Sequence, residues 1–168
     1  MKEKHPFEPF VPELSEILIL GSFPGKESTQ NTRENDWFYG ANRNQFWKIL
    51  ELVYGLILEN KSEKQNLIIS SKIAITDIIS SCERVGDSNS DNNLINKEYN
   101  IEQINKILNE KTIRKILFTS KGVCKEFHEH FDIPNGIELV TLPSPSPIYR
   151  RLSLQDKVTE YKKHFPSI

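Results

Sequence analysis

The 168-residue sequence predicts an α/β fold, a three-layer αβα domain spanning residues 1–168 around a central, mainly parallel four-stranded sheet. Three observations predict it. Four short, nearly continuous apolar runs, each closed by a small or polar residue, have the pattern of strands buried on both faces. Segments with apolar residues at three- and four-residue spacing, the helical period, separate them. The length suits one domain with a sizeable core. Strands alternating with helices call for a parallel sheet covered on both sides.

The first strand is expected over Glu16–Ser22 (EILILGS). A helix follows in NQFWKILELVYGLI, with Asn44 as a candidate N-cap and Phe46, Trp47 and Leu50 on its apolar stripe. Lys72–Ile78 (KIAITDI) is the second strand, and NIEQINKILNE repeats Ile101, Ile104, Ile107 and Leu108 on one helical face. Arg114–Ser120 (RKILFTS) is the third strand, followed by the helical SKGVCKEFHEHF. Gly136–Leu142 (GIELVTL) is the fourth, and SLQDKVTEYKKHF closes the set as a helix. The run GDSNSDNN, residues 86–93, is a polar loop too short to link two domains.

Composition narrows the function. Hydrophobic residues at 37% and charged residues at 27% are ordinary for a globular protein. The longest apolar runs, such as ILIL and VYGLIL, are too short to span a bilayer, and the start MKEKHPFEPFVPE is charged and proline-broken, unlike a signal peptide. A cytoplasmic monomer without membrane contact is the expectation. Cys82 and Cys124 cannot supply a four-thiolate cluster, and reduced, buried thiols are expected. His128 and His130 sit two residues apart and do not share a helical face, so no metal site is expected there. A net charge of −1 argues against coating nucleic acid by bulk electrostatics. A local basic rim remains open, because Leu142–Lys163 holds five basic residues against two acidic ones.

In parallel sheets, ligands sit beyond the carboxyl ends of the strands. The loops there read GSFPGKES…FYGANRNQFW, TDIISSCER, TSKG and LPSPSPIYRR. The first is not a Walker A phosphate loop: Gly21 to Gly25 is one residue short, and Glu27 follows Lys26 where magnesium would need a hydroxyl.

Taken together, the four loops resemble the uracil-DNA glycosylase superfamily over nearly the whole chain. GSFPG is similar to its Gly-x-x-Pro-Gly active-site turn, FYGANRNQFW to the segment ending Asn-x-Phe-Trp, and LPSPSP to its late Pro-Ser loop. ITDIISSCER most resembles the deoxyinosine, or hypoxanthine-DNA, glycosylase branch. The resemblance implies a monofunctional hydrolase with damaged DNA as its partner. It flips a base from the stack, cleaves the glycosidic bond and leaves an abasic site, without cofactor or metal.

It also implies roles for particular residues. Gly21, Ser22, Phe23, Pro24 and Gly25 form the base pocket. Tyr39, five residues before Asn44, stacks on the base, core packing being the alternative. Asn44 is catalytic, donating to the base or holding water, an ordinary N-cap being the alternative. Asp77 is counted with Asn44 among the catalytic residues and reads the base edge by accepting from N1–H of hypoxanthine, or else caps the next helix. Pro143, Ser144 and Ser146 grip the DNA backbone on a loop stiffened by proline. One of Ile148, Tyr149 and Arg150 fills the gap left by the flipped base. Ser120, Lys121 and Lys26 are candidate DNA contacts. Phe23 stands where uracil-removing relatives carry Asp or Asn, which selects the deoxyinosine branch. Ala41 and Asn42 depart from that branch's usual His-Pro. The alternatives are a mismatch-type uracil or thymine glycosylase and a catalytically weak DNA-binding relative.

Overall fold

The computed structural model describes residues 1–168. In chain order the elements are β1 (Lys2–Lys4), β2 (Ile17–Gly21), α1 (Lys26–Gln30), α2 (Phe46–Tyr54), α3 (Lys61–Ser70), β3 (Ile73–Asp77), β4 (Ile79–Arg84) and β5 (Leu94–Tyr99). Then follow α4 (Ile101–Glu110), β6 (Lys115–Phe118), α5 (Lys121–His130), β7 (Glu138–Thr141) and α6 (Leu154–Lys162). Each apolar run read from the sequence is a strand of one four-stranded sheet, in the order β3-β2-β6-β7. All three pairings are parallel, in a register that sets Gly21 beside Asp77 and Leu20 beside Phe118.

Successive residues of a strand face opposite sides, and β2 shows the consequence. Ile19 joins Trp47, Leu50, Leu67, Val158 and Tyr161 beneath α2, α3 and α6. Leu18 and Leu20 join Ile104, Phe118, Val123 and Phe127 beneath α4 and α5. The sheet is thus the middle of three layers, with a closed apolar cluster on either side. Burying each such side chain contributes about 1.5–3 kcal/mol.

A second sheet departs from the sequence reading. TDIISSCER is not one loop: Ile79–Arg84 is a strand, paired antiparallel with both β1 and β5 in the order β1-β4-β5. Register shifts along the β4–β5 pairing break the plain in–out alternation that would betray a strand in sequence. This sheet packs Ile79, Cys82 and Leu94 into the cluster under α4 and α5. Cys82 is buried there, and burial pushes its thiol up to about 11. Cys124 is free and only partly buried. No helix is long and apolar enough to cross a membrane.

Candidate active site

The carboxyl ends of β2, β3, β6 and β7 open on one cavity of about 520 Å³, a size typical of small-ligand sites. Gly21, expected in the pocket, is not part of its wall but lies behind Tyr39 and Asp77, which are. A Cβ there would overlap both the Tyr39 hydroxyl and Asp77 Oδ1, so the loop after β2 needs glycine for close approach. The next backbone carbonyls hold the neighbouring strand in place: Ile78 N donates to Gly21 O at 2.8 Å and Ile79 N to Ser22 O at 3.2 Å. Ser22, Phe23, Pro24 and Gly25 all line the cavity. The Phe23 amide donates to no backbone carbonyl.

Tyr39 adopts the left-handed backbone region, with φ 59°, a strained conformation for a bulky residue. Tertiary packing holds it there. Its ring stacks on Phe46 at 4.1 Å and 28°, while the adjoining Trp37 stacks on Trp47 and Phe38 O accepts from Trp47 Nε1 at 2.7 Å. The core-packing reading of Tyr39 is met on one ring face, and the residue also lines the cavity. The Tyr39 and Ser22 hydroxyls are buried with no hydrogen-bond partner. Burial, reinforced by the Asp77 charge and offset in part by Thr119, holds the Tyr39 phenol well above its usual range. It is an O–H donor at any ordinary pH.

Asp77, at the end of β3, is held by a residue that sequence reading did not single out. His5 Nε2 lies 2.6 Å from Asp77 Oδ2. The Phe7 amide donates to His5 Nδ1 at 3.0 Å, so Nδ1 carries no proton and Nε2–H is the donor to the carboxylate. His5 follows β1, its own amide donating to Ser80 O at 2.9 Å, and its ring packs among Phe7, Phe23 and Phe38. Only pairing of β1 with β4, across some eighty residues of chain, brings it here.

Asn44 meets the capping reading through its amide oxygen and also lines the cavity. Oδ1 accepts from Phe46 N at 2.9 Å and caps α2, whose N-cap position proper is Gln45. That bond orients the carboxamide, leaving Nδ2 as the donor available to the cavity, which Asn44 lines. The adjoining Gln45 ties this turn to the Pro-Ser loop: Gln45 N donates to Pro145 O at 2.8 Å. Beneath both, the ammonium of Lys157 donates to Gln45 Oε1 at 2.8 Å and Ser146 O at 3.0 Å.

The loop after β4, read from sequence as a plain polar connection, forms part of the wall through Asn89, Ser90 and Asp91. It is pinned to α1, where Lys26 N donates to Asn89 Oδ1 at 3.0 Å and Asn89 Nδ2 to Glu27 Oε2 at 3.1 Å. Asp91 counts as an exposed residue, yet its carboxyl is pushed up to about 6. Loss of water at the cavity wall is the main cause; the nearby Ser22 hydroxyl opposes it and the Asp77 charge adds to it.

The carboxyl ends of a parallel sheet thus carry the sequence motifs around one cavity, with an asparagine capping the Asn-x-Phe-Trp helix and a Pro-Ser loop locked to it. The model of the Uracil DNA glycosylase superfamily matches residues 8–165. The chain belongs to the Uracil DNA glycosylase superfamily. Its enzyme class is DNA N-glycosylase, with DNA as substrate. Two proteins named Hypoxanthine DNA glycosylase are similar to it. The one from Methanosarcina barkeri is 31% identical over 121 residues, 71% of this chain and 72% of that protein. The one from Methanosarcina acetivorans is 27% identical over 166 residues, 96% of this chain and 98% of that protein. A solution NMR structure of a candidate uracil DNA glycosylase from Methanosarcina acetivorans shares the fold, with a TM-score of 0.67, 22% identity and coverage of 98% and 96% of the two chains.

The remaining expected residues of this DNA N-glycosylase divide into two groups. Ser144, Ser146, Ile148, Tyr149 and Ser120 join the cavity wall. Ser144 Oγ accepts from Ser146 N at 3.2 Å and Ser146 Oγ from Ile148 N at 3.3 Å, so these hydroxyls shape their loop and keep their protons for another acceptor. Ser120 caps α5 by accepting from Val123 N. Ile148 is 74% exposed at the rim. Pro143, Lys26, Lys121 and Arg150 lie outside the wall. Pro143 O accepts from Tyr161, and the Lys26 ammonium lies 3.4 Å from Asp87, an exposed partner. Lys121 and Arg150 are on the surface. His5, Asp91 and Lys157 were missed because each is placed by long-range pairing.

Proposed function

We propose that this DNA N-glycosylase removes hypoxanthine from deaminated DNA by hydrolysing the N-glycosidic bond, as a monofunctional enzyme that leaves an abasic site. The observation that carries the proposal is the inner end of the cavity, where the carboxylate of Asp77, the unpartnered hydroxyls of Tyr39 and Ser22, and the free amide of Phe23 converge. Hypoxanthine presents an N1–H donor beside an O6 acceptor. Asp77 Oδ1 accepts from N1–H, and the Phe23 amide donates to O6. Adenine reverses the pattern and would leave Asp77 facing a bare ring nitrogen, a strongly disfavoured pairing in a buried site. The two similar proteins named Hypoxanthine DNA glycosylase support the same reading.

The flipped base stacks on the Tyr39 ring face opposite Phe46. As the glycosidic bond breaks, negative charge spreads over the departing purine, and the Asn44 Nδ2 donor stabilises it there. Donors of this kind are worth ~10²–10³-fold in rate. Ser144 and Ser146, with their hydroxyl protons unspent, hold the phosphates beside the site, and Ile148, at the rim, fills the gap in the stack.

The test is single-turnover cleavage of duplexes carrying deoxyinosine, uracil opposite guanine, or thymine opposite guanine, with alkali revealing abasic sites. Deoxyinosine cleaved fastest, and lost with Asn44→Ala, supports the proposal. Uracil cleaved fastest would reassign the pocket to pyrimidines, whose N3–H also satisfies Asp77. Binding without cleavage of any duplex would leave a non-catalytic DNA binder.

A further inference from the structure

We propose that His5 is the specificity residue that keeps guanine out of this pocket, by occupying one oxygen of Asp77. The inference rests on the reading of Asp77 as acceptor for the base edge. Guanine is the hardest normal base for such a pocket to refuse. It has the same N1–H and O6 as hypoxanthine and differs on that edge only by a 2-amino group beside N1–H. A carboxylate with both oxygens free takes two parallel N–H donors in a fork, the geometry it uses with arginine. An unrestrained Asp77 would therefore hold guanine by N1–H and the amino group together, more tightly than hypoxanthine, which offers only one of the two. Every undamaged guanine would then be a better ligand than the lesion.

The structure draws the second oxygen away from the base. Asp77 Oδ2 is 2.6 Å from His5 Nε2, and the Phe7 amide on Nδ1 fixes the tautomer that makes Nε2–H the donor. The histidine ring does not line the cavity; it is 10% exposed and wedged among Phe7, Phe23 and Phe38 behind the carboxylate. Oδ2 is thus drawn to the protein side, and Oδ1 is the atom crowded against Gly21 with the Tyr39 hydroxyl. Asp77 then presents Oδ1 to the base, while Oδ2, although it keeps a lone pair, is turned to the histidine and screened by its N–H. Hypoxanthine, with C2–H where guanine has its amino group, loses nothing by this. Guanine would bury its amino group against an oxygen already bonded and against the Nε2–H that bonds it, a donor facing a donor. Stranding a buried donor is among the strongest means of rejection a site has.

The experiment compares single-turnover release of guanine and of hypoxanthine from matched duplexes by wild type, His5→Leu and His5→Gln, with Asp77→Asn in parallel. Leucine fills the space and frees Oδ2, while glutamine keeps a donor towards it. The ratio of guanine to hypoxanthine release is expected to rise about 10- to 100-fold in His5→Leu, the penalty of one stranded donor, and to stay near wild type in His5→Gln. An unchanged ratio in a folded His5→Leu variant, or a rise equal in both variants, overturns the proposal. Should the leucine variant not fold, ¹⁵N NMR of the wild-type ring decides. A proton on Nε2 and none on Nδ1 supports the assignment, and a proton on Nδ1 overturns it. Hypoxanthine release undiminished in Asp77→Asn would instead overturn the reading of Asp77, separating the two failures.

Discussion

Lys157 and Gln45, 112 residues apart, are joined by a 2.8 Å hydrogen bond at a site where the lysine is 1% exposed. The same ammonium donates to Ser146 O, and Gln45 N donates to Pro145 O. The turn that presents Asn44 and the Pro-Ser loop are therefore one piece, riveted by a buried cation whose pKa burial lowers. Lys157→Met should cost about 1–3 kcal/mol in denaturant unfolding, since two carbonyl acceptors lose their donor. In single-turnover assays the loss should fall on the cleavage rate more than on duplex affinity, because the two loops lose their mutual alignment while each keeps its own contacts.

Asn44 can be dissected by a change of one atom. Asn44→Asp keeps an oxygen to cap Phe46 N and replaces the Nδ2 donor with an acceptor. Thermal stability should match or exceed wild type, since an acidic cap also suits a helix N-terminus. The cleavage rate should fall ~10²-fold or more. Asn44→Ala should lose both the rate and about 1 kcal/mol of stability. A rate preserved in Asn44→Asp would remove the donor role.

Gly21→Ala tests the floor of the pocket. The added methyl overlaps both the Tyr39 hydroxyl and Asp77 Oδ1, so both must move or the backbone must shift. A stability loss of about 1–3 kcal/mol is expected from overpacking. Cleavage should fall far more than the folded fraction, measured on the same preparation by circular dichroism.

Asp91 gives the molecule a pH dependence with a defined sign. Its carboxyl titrates near about 6 in the fold, raised from the ordinary 3.8, so folding favours the protonated form. That contribution is complete below 3.8 and is lost as pH rises through about 6. Asp91→Asn should therefore melt higher than wild type above pH 6, with the difference closing as pH falls towards 3.8. Duplex affinity should follow the same course, as the variant lacks a negative charge at the mouth of a DNA-facing cavity. A melting difference independent of pH would count against this assignment.

The central sheet was legible because a strand buried on both faces cannot hide its composition: ILIL in β2 and ILF in β6 are unbroken apolar runs. That Phe23, Tyr39, Asn44, Asp77 and the serines of the Pro-Ser loop share one cavity was legible because all lie at, or in the connections after, the carboxyl ends of those strands. The second sheet was not. LINKEY buries only Leu94, and a three-residue β1 carries too little pattern to be read alone. Helix α3 was missed because its apolar residues bunch at one end, although Asn60 and Glu63 form a capping box that sequence could have offered. His5 and Asp91 were invisible for a different reason. Nothing local to a histidine at position 5, or to an aspartate in a polar loop, records the partner it meets after seventy residues of intervening chain have folded.

The pairing of Lys2–Lys4 with β4 also has a meaning in time. Closing a loop of some eighty residues carries an entropic cost that grows with its length, and contacts so distant in sequence are slow to form. The strand that carries this pairing is only three residues long and lies at the edge of its sheet, beside the chain terminus, so it is among the easiest elements to detach. While it is detached, Asp77 lacks its His5 partner. On the proposed role of His5, such a molecule would be a less discriminating enzyme rather than an inert one.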